Sequence, residues 1–447
     1  MMNDNDEKGN APEPADDEVL DLVIDKLVTG GAGLARHDGQ AVFVPLTAPG
    51  DRVRARVVQR KRGFRQAELA EVVQPGPDRR DAPCPYYGDC GGCDLQHLET
   101  PAQRRAKAAI VLDCFGRLGR LDVAPILEGP LPEGPDLGYR NRIRLYAHPA
   151  GPYGLMRRGT NQVVPLEACL LMPDQFNRDI LPWLRMMPPV EQILVRLDGR
   201  GHFLISLFGP PARQKMLKRI LAGLGPDQAP APGCTGVLFN NLPMWGHDYL
   251  VHEMAGHTFK VSAQSFFQGN HAVTVEAVAT VRAWLDDLEA AGRLGPLLAD
   301  LFCGVGLFSL CLADRFAKVV AIDSDEGACR DLENNVQRDA AARGKVAVHA
   351  GPVAKVLADA DLATDEAWRE ACCVVDPPRA GLGKDGAAAL AARAPRQVLF
   401  MSCDPATLAR DAGLLGAAGY TATRLRVLDM FPQTAHIETL LLMERVE

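Results

Sequence analysis

The sequence lacks any segment that would carry the chain into or across a membrane. Its apolar run from Leu301 to Ala313 is too short to span a bilayer and contains two glycines. The first ten residues are acidic and have no apolar core, so they do not read as a secretory signal. We therefore expect a cytoplasmic location and no membrane partner.

Nothing in the composition favours a disulfide framework or a disordered chain. Hydrophobic residues make up 47% of the 447 positions and charged residues 23%, which is ordinary for a soluble globular protein of two or three domains. In a reducing compartment, the twelve cysteines should be thiols, metal ligands or catalytic groups.

An overall excess of basic charge is also missing, because the formal net charge is −7. However, residues 1–25 contain nine acids and one lysine, so the rest of the chain is near neutral. Residues 51–72 hold seven basic and three acidic side chains, and residues 101–160 hold ten and five. Local basic stripes of this kind suit contact with nucleic-acid phosphates, although solvated surface faces would show the same charges.

The chain is predicted to begin with a disordered acidic tail over residues 1–17, followed by a small barrel over 18–76. The barrel is indicated by short β-like runs punctuated by glycines. In one run, Arg52, Arg54 and Arg56 alternate with apolar residues, which places three arginines on one face. An oligonucleotide-binding type of barrel with a basic face would hold an RNA backbone.

A central α+β domain over residues 77–260 opens with Cys84, Cys90 and Cys93 in a glycine-rich loop. Three close thiolates require a soft metal, and no second pair of cysteines completes a zinc site. An iron–sulfur cluster takes three close cysteines and a distant fourth. The fourth ligand would come from Cys114, Cys169 or Cys234, of which Cys169 is favoured, whereas His97 is expected to face the protein.

Residues 261–447 have the pattern of an α/β catalytic domain of Rossmann type. A strand leads into Asp300 and the turn containing Gly304 and Gly306, and later strands end at Asp323 and Asp376. Ser309 replaces the third glycine of a dinucleotide loop, so a pyrophosphate cradle is disfavoured. An acidic residue, a Gly-x-Gly turn, a second acidic residue and an Asp-Pro-Pro segment follow one another in this order. This pattern predicts a methyltransferase that uses S-adenosylmethionine.

A possible nucleophile and base follow in the same domain. Cys403 comes directly after an apolar strand and just before a helix, where open α/β sheets place their chemistry. Glu438 lies two residues after His436 in the last strand-like run. A strand from His436 to Leu440 would put both side chains on one face, so His436 is a rival base.

The chain resembles the RNA 5-methyluridine methyltransferases over residues 18–447, and most of all the branch with a TRAM barrel and an iron–sulfur cluster that acts on 23S ribosomal RNA. The similarity rests on the cysteine loop with Cys169, Phe266-Phe267-Gln268, Asp300–Gly306, Asp376–Gly381, Ser402–Asp411 and Asp429–Glu438. It implies a [4Fe-4S] cluster on Cys84, Cys90, Cys93 and Cys169. It also implies a methyl-donor site at Gln268, Phe302, Gly304, Gly306, Asp323 and Asp376, with Cys403 as nucleophile and Glu438 as base, in an enzyme expected to be a monomer.

Leu307 and Gly351 depart from the pattern of the relatives, which puts the contacts near the adenine in question. Three other functions fit the residues less well. An amino-group methyltransferase would have an aromatic residue where Arg379 stands, and radical chemistry would have a different cysteine spacing. A non-catalytic RNA-binding assembly factor would not need Cys403 and Glu438. The residues leave open whether the RNA is ribosomal or transfer RNA.

Overall fold

The computed structural model describes residues 18–129, 134–149, 151, 153–187, 189–223, 229–359 and 362–446. Contacts divide this part into two compact units. The first contains the described residues up to Ile110 together with Pro432–Ala435, and the second contains Val111–Phe431 and the residues from His436 onward. The predicted acidic tail, residues 1–17, lies outside the described residues. The division into a barrel, a central domain and a catalytic domain stays a prediction.

The first unit is built on one six-stranded sheet. Its strands are β1 (Val19–Val23), β2 (Lys26–Leu27), β3 (Gly33–His37), β4 (Gln40–Val44), β5 (Arg52–Lys61) and β6 (Phe64–Gln74). They lie in the order β1-β5-β6-β4-β3-β2. Along the start of β5, exposed arginines alternate with the buried Val53, Ala55 and Val57. The predicted alternation is therefore confirmed.

The exposed face of β5 is not purely basic. Arg54 and Arg56 are the cross-strand partners of Glu71 and Glu68 on β6. Arg54 Nη2 lies 2.6 Å from Glu71 Oε2, and Arg56 Nη2 lies 3.7 Å from Glu68 Oε2. Such exposed pairs stabilise a fold by only about 0–1 kcal/mol each, but they compensate much of the positive charge expected from β5 alone.

The cysteine loop, residues 79–98, joins β6 to helix α1 (Thr100–Cys114) through turns and isolated bridges. The hydroxyl of Tyr87 lies 2.6 Å from the carbonyl oxygen of Asp94 and 2.5 Å from Nδ1 of His97. His97 is buried, which fits the expectation that it faces the protein. After α1 the chain continues through one π-helical turn at Phe115–Gly119.

The second unit begins with a seven-stranded sheet and two helices. The strands are β7 (Arg142–Ala147), β8 (Tyr153–Met156), β9 (Val163–Pro165), β10 (Gln192–Leu197), β11 (Phe203–Phe208), β12 (Cys234–Phe239) and β13 (Leu242–Gly246), in the order β13-β12-β11-β10-β7-β8-β9. Helices α2 (Leu181–Met186) and α3 (Ala212–Ala222) share its core. A hairpin of β14 (Tyr249–Met254) and β15 (His257–Ser262) follows.

The rest of the second unit alternates strands and helices. The strands are β16 (Leu297–Leu301), β17 (Lys318–Asp323), β18 (Val346–Ala350), β19 (Cys372–Val375), β20 (Gln397–Ser402), β21 (Tyr420–Leu428) and β22 (Glu438–Arg445). The helices are α4 (His271–Ala290), α5 (Leu307–Cys311), α6 (Glu326–Arg338), α7 (Val353–Leu357), α8 (Asp365–Arg369), α9 (Gly383–Arg393) and α10 (Pro405–Ala417).

These strands form one mixed sheet in the order β18-β17-β16-β19-β20-β22-β21. Strands β16 to β20 pair in parallel, and β22 is antiparallel to both of its neighbours. Every residue of β16, β19 and β20 is buried, which explains their continuous apolar runs. From β16 the chain adds β17 and β18 on one side, and it then adds β19 on the other side of β16. Open α/β sheets bind ligands where the strand order reverses in this way, so a ligand crevice is expected between β16 and β19. The predicted α/β class is confirmed for this region.

Across the described ranges, every helix is too short or too polar to cross a bilayer.

Candidate active site

Four neighbouring strands of the mixed sheet carry a reactive side chain at or next to the same end. Asp300 lies near the end of β16, Asp323 ends β17, Asp376 follows β19 and Cys403 follows β20. Because parallel strands point the same way, these ends meet at one edge of the sheet. The fold thus brings together residues that are up to about a hundred positions apart in the sequence.

The loop after β16 has a shape that depends on its glycines. Gly304 and Gly306 have positive φ angles of 53° and 94°, and Phe302 has a φ of 60°. A Cβ atom on Gly306 would lie 2.2 Å from Cδ1 of Leu332, so no larger residue fits there. The N–H of Gly304 donates to Asp323 Oδ2 at 2.8 Å, which ties the loop to the end of β17. The result is a short backbone turn close to two carboxylates.

The carboxyl groups at this edge disfavour one another's ionisation. Burial raises the pKa of Asp300 to about 7, and the charge of Asp323 adds to the effect. Burial likewise raises the pKa of Asp376 to about 7, with further contributions from Asp300 and Asp323. Asp300 Oδ1 is buried and has no hydrogen-bond partner among the described residues. Such a group of acids is suited to a positively charged ligand, because a cation would stabilise their ionised forms.

The segment before α4 places one amide and two phenylalanines near these acids. Gln268 is buried, and its Nε2 donates to Asp376 Oδ2 at 3.3 Å. Phe267 packs against Phe259 and His252, with ring centroids 5.5 and 4.8 Å apart. Phe266, in contrast, is 60% exposed. Of the two aromatic residues, Phe267 is therefore part of the core and Phe266 remains accessible to a base.

Cys403 and Glu438 are brought together by the pairing of β20 with β22. Ser402 is the partner of Thr439 in this antiparallel ladder, so Cys403 and Glu438 are the next residues beyond that pair. Asp404 begins α10 by accepting hydrogen bonds from the N–H groups of Ala406 and Thr407 at 2.9 and 3.0 Å. This cap fixes the turn that carries Cys403.

The two groups are held in their uncharged forms by their surroundings. Burial raises the pKa of Cys403 to about 11, and the nearby Glu438 carboxyl adds to this, whereas Arg379 lowers it. Glu438 is buried, and desolvation together with Asp376 raises the pKa of its carboxyl well above the usual range. A carboxyl with a raised pKa is a stronger base once ionised, which is the property a proton acceptor needs.

The placement of His436 differs from the sequence-based expectation. Strand β22 begins at Glu438, so His436 lies before the strand and does not share a strand face with Glu438. Its ring is partly exposed, and its Nδ1 lies 3.0 Å from Nη2 of Arg379. The expected strand from His436 to Leu440 was wrong because the segment before Glu438 turns instead of pairing.

Two polar contacts at the site were not anticipated. Ser309 donates to Asp300 Oδ2 at 2.6 Å, so the residue that replaces the third glycine orients an acid of the site. Arg379 Nη2 lies 3.0 Å from His436 Nδ1, and the charge of Arg379 partly offsets the rise in the pKa of Cys403. The signal for Arg379 was present in the sequence as an arginine directly after Asp-Pro-Pro, but a side chain's distant partners cannot be read from such a motif.

The two positions that depart from the family pattern have structural reasons of their own. Leu307 begins α5 and is buried in the core. Gly351 follows β18 with a φ of 155°, and its N–H donates to the carbonyl oxygen of Asp323 at 2.8 Å. A Cβ atom at Gly351 would approach Val356 to 3.0 Å. Their relation to a bound adenine stays a prediction.

The cysteines predicted to bind an iron–sulfur cluster differ in exposure from the other candidate ligands. Cys84, Cys90, Cys93 and Cys169 are all partly exposed thiols, whereas Cys114 and Cys234 are buried. Burial also raises the pKa of Cys234 to about 12, which disfavours the thiolate that a metal requires. However, among the described residues no group of three or more Cys, His, Asp or Glu side chains is arranged so that it could hold a metal ion. The cluster therefore stays a prediction from the cysteine spacing.

Comparison with known proteins identifies the family. The model of the tRNA (uracil-5-)-methyltransferase family matches residues 246–446. A 23S rRNA (uracil(1939)-C(5))-methyltransferase of Shewanella amazonensis is 31% identical, over 96% of this chain and 96% of its own length. The enzyme of the same name from Chromohalobacter salexigens is 32% identical, over 98% of this chain and 92% of its own. The chain belongs to the S-adenosylmethionine-dependent RNA (uracil-5-)-methyltransferases.

The fold comparison agrees with this assignment. The crystal structure of the tRNA (uracil-54, C5)-methyltransferase of Pyrococcus abyssi, in complex with S-adenosyl-L-homocysteine, superimposes with a TM-score of 0.70. It covers 95% of this chain and all of the other, at 22% identity. The family predicted from the sequence motifs is confirmed, and so is the methyltransferase fold.

If the acids at this edge bind the cationic methyl donor, their raised pKa values predict that donor binding releases protons. With pKa values of about 7, Asp300 and Asp376 are partly protonated at neutral pH, and a cationic ligand favours their ionised forms. Donor affinity should therefore rise from pH 6 to pH 8, by about tenfold for each carboxyl that must ionise. Calorimetry in two buffers of different ionisation enthalpy measures the released protons.

Asp376→Asn provides the control, since it removes one titrating group and should reduce the proton release by that group's share. Donor binding that releases no protons between pH 6 and pH 8 would contradict the assignment of these carboxyls to the donor site.

Proposed function

We propose that the chain methylates carbon 5 of a uridine in 23S ribosomal RNA, with Cys403 as covalent nucleophile and Glu438 as general base. The observation that carries this proposal is the meeting of a partly exposed thiol and a buried carboxyl at the junction of β20 and β22. Reactions at carbon 5 of uracil need these two groups together. An amino-group methyltransferase or a non-catalytic RNA-binding factor needs neither.

The chemistry requires a thiolate because carbon 5 of uracil is a poor nucleophile. When Cys403 adds to carbon 6, the ring becomes an enolate whose carbon 5 can attack an electrophilic methyl group. Glu438 then removes the proton from carbon 5, the sulfur–carbon 6 bond breaks, and the cysteine leaves as a thiolate. Burial raises the pKa of Cys403, and the neighbouring Arg379 partly offsets that rise, which assists the first step.

The residues of the sheet edge fit the methyl donor. Bound S-adenosylmethionine would supply the electrophilic methyl group as a sulfonium. The loop of Phe302, Gly304 and Gly306 allows close backbone approach, while Asp323 and Asp376 provide acceptors for hydroxyl and cationic groups. Gln268 orients Asp376 through its hydrogen bond.

The target uridine must leave its base stack to reach Cys403. Extrusion costs a few kcal/mol, and least from a loop or single strand. The exposed ring of Phe266 offers a surface on which a displaced base can stack. We propose that the six-stranded sheet of the first unit is the RNA-binding TRAM barrel. An RNA substrate fits a cytoplasmic enzyme, and we also propose that the enzyme is a monomer.

The decisive experiment separates the roles of the nucleophile and the base. Cys403→Ala should form neither 5-methyluridine nor any covalent complex with RNA, because nothing attacks carbon 6. Glu438→Gln should transfer one methyl group and then stall as a covalent adduct, since removal of a general base slows turnover by roughly 10²- to 10⁴-fold. A slowly migrating band on a denaturing gel reports the adduct.

His436→Ala is the matched control and should turn over without accumulating adduct. Adduct accumulation in His436→Ala, with normal turnover in Glu438→Gln, would make His436 the base. If Cys403→Ala still methylates uridine, the covalent mechanism is wrong. A wild-type chain that releases no tritium from carbon-5-labelled uridine in RNA would instead be a binding factor.

The choice of 23S ribosomal RNA rests on the relatives that match 96 and 98% of this chain at 31 and 32% identity. Transfer RNA remains the second candidate, since the family model and the solved structure carry tRNA names. Deleting the gene should remove 5-methyluridine from 23S ribosomal RNA and leave it in transfer RNA. Mapping by mass spectrometry decides between them, and a loss confined to transfer RNA would reverse the choice.

We also propose a [4Fe-4S] cluster on Cys84, Cys90, Cys93 and Cys169, supported by the cysteine spacing and by the exposure of all four thiols. Protein purified without oxygen should be brown and contain iron and sulfide. Cys84→Ser and Cys169→Ser should lose the colour, whereas Cys234→Ala should keep it because that thiol is buried. Stoichiometric zinc without iron or sulfide would disprove the cluster.

A further inference from the structure

Three arginines share one face of two neighbouring strands in the second unit. Arg142 on β7 is the direct cross-strand partner of Arg196 on β10, and Arg144 lies two residues further along β7. Residues two apart on a strand point to the same face, so the three guanidinium groups lie on one side of the sheet. We call Arg142, Arg144 and Arg196 the arginine face. Like charges placed opposite each other destabilise a sheet, so this arrangement calls for an explanation.

Within the described part of the chain, no carboxylate lies at ion-pair distance from Arg142, Arg144 or Arg196, and no carboxylate raises the pKa of Arg142 or Arg196. Burial and the charges of Arg142 and Arg144 lower the pKa of Arg196 to about 10. Burial, Arg144 and Arg140 similarly lower the pKa of Arg142. One buried guanidinium nitrogen, Arg196 Nη1, has no hydrogen-bond partner within the described ranges.

Two of the three guanidinium groups, those of Arg144 and Arg196, are nevertheless held in place by contacts. Arg144 Nη1 donates to Gln192 Oε1 at 2.9 Å, and its guanidinium carbon lies 5.6 Å from the ring centroid of Phe208. Arg196 Nη2 lies 3.5 Å from the carbonyl oxygen of Ser265. Arg142 and Arg196 also line a small cavity together with Asn141 and Phe267. An anion would therefore meet preorganised donors.

The arginine face adjoins the candidate active site through the segment before α4. Asn141 Nδ2 donates to the carbonyl oxygen of Gln268 at 2.9 Å, and the backbone N–H of Asn141 donates to the carbonyl oxygen of Gly269 at 3.1 Å. Gln268 in turn contacts Asp376. The exposed Phe266 belongs to the same segment. An anion on the arginine face would thus lie beside the residues that receive the donor and the base.

We infer that the arginine face is a phosphate-binding site for the RNA strand that carries the target uridine. The inference rests on the proposed RNA substrate. The methyl donor contains no phosphate, so a phosphodiester of the RNA is the anion that fits a site at this position. Arginine binds phosphate through paired N–H groups, and three uncompensated guanidiniums match a backbone that passes an extruded base.

The arginine face differs from the basic strand β5 of the first unit in that its charges are not paired with carboxylates of the described residues, and this difference can be tested. Arg54 and Arg56 of β5 are paired with Glu71 and Glu68, so their positive charge is already compensated. A compensated arginine displaces fewer counterions from RNA than an uncompensated one, because its charge is shared with a carboxylate. The salt dependence of RNA affinity should therefore be governed more by the arginine face.

The experiment measures how a fluorescein-labelled, single-stranded, uridine-containing RNA binds in a KCl series, by fluorescence anisotropy and without methyl donor. Arg142→Gln with Arg144→Gln should weaken binding and reduce the slope of log affinity against log salt by about 0.7 for each phosphate that is no longer neutralised. Arg54→Gln with Arg56→Gln is the matched control from the first unit and should reduce the slope by less, because these charges are already paired with Glu71 and Glu68. Arg142→Lys with Arg144→Lys should keep the wild-type slope, because the charges remain.

Donor affinity and the thermal unfolding midpoint of each variant establish that the fold is intact. A glutamine double variant with the wild-type salt slope would overturn the inference, and so would a control whose slope falls by as much. The readout does not involve catalysis. If the glutamine double variant has a reduced slope but the wild-type chain methylates no uridine, the phosphate site is supported and the proposed function is refuted.

Discussion

The antiparallel pairing of β22 with β20 is the constraint on which the site depends. In the proposed mechanism, the four parallel strand ends supply the donor crevice and the nucleophile, and the base comes from β22. Insertion of β22 between β20 and β21 places Glu438 beside the end of the strand that carries Cys403. A shift of one residue in this register would turn the side chain of Glu438 to the opposite face of the sheet. The buried residues of β22, which extend from Glu438 to Met443, oppose such a shift.

The same edge concentrates acids whose ionisation is unfavourable without a ligand. Asp300, Asp376 and Glu438 all have raised pKa values, and burial is the largest cause in each case. An apolar edge would be more stable, since buried carboxyls cost free energy unless they are compensated. The arrangement is understandable if the compensation comes from a cationic substrate. The arginine face is a cluster of positive charge that also lacks compensation, and there the compensating anion would be a phosphate of the RNA substrate.

The sequence revealed those features that depend on local order along the chain. Strand ends at Asp323, Asp376 and Cys403 were predictable because each apolar run is followed by a residue that breaks it. The alternation in β5 was equally clear. These predictions succeed because strand periodicity and turn chemistry are properties of neighbouring residues.

Features that depend on which strands become neighbours were not predictable. Glu68 and Glu71 compensate the arginines of β5 only because β6 pairs with it in one register. Arg196 faces Arg142 across two strands that are separated by about fifty residues of sequence. A charge count along the chain could therefore locate basic segments, but it could not distinguish a compensated arginine from an uncompensated one. The true start of β22 was missed for a related reason.

That reason lies in the four residues Pro432–Ala435, which belong to the first unit although both flanking segments belong to the second. The N–H of Gln433 donates to Gln103 Oε1 at 2.9 Å, and the carbonyl oxygen of Gln433 accepts from the N–H groups of Asp94 and Leu95. The N–H of Ala435 donates to Asp94 Oδ2 at 3.0 Å. The segment is thus fixed by the residue that directly follows Cys93, so disorder in the cysteine loop would remove hydrogen bonds from the chain leading to Glu438.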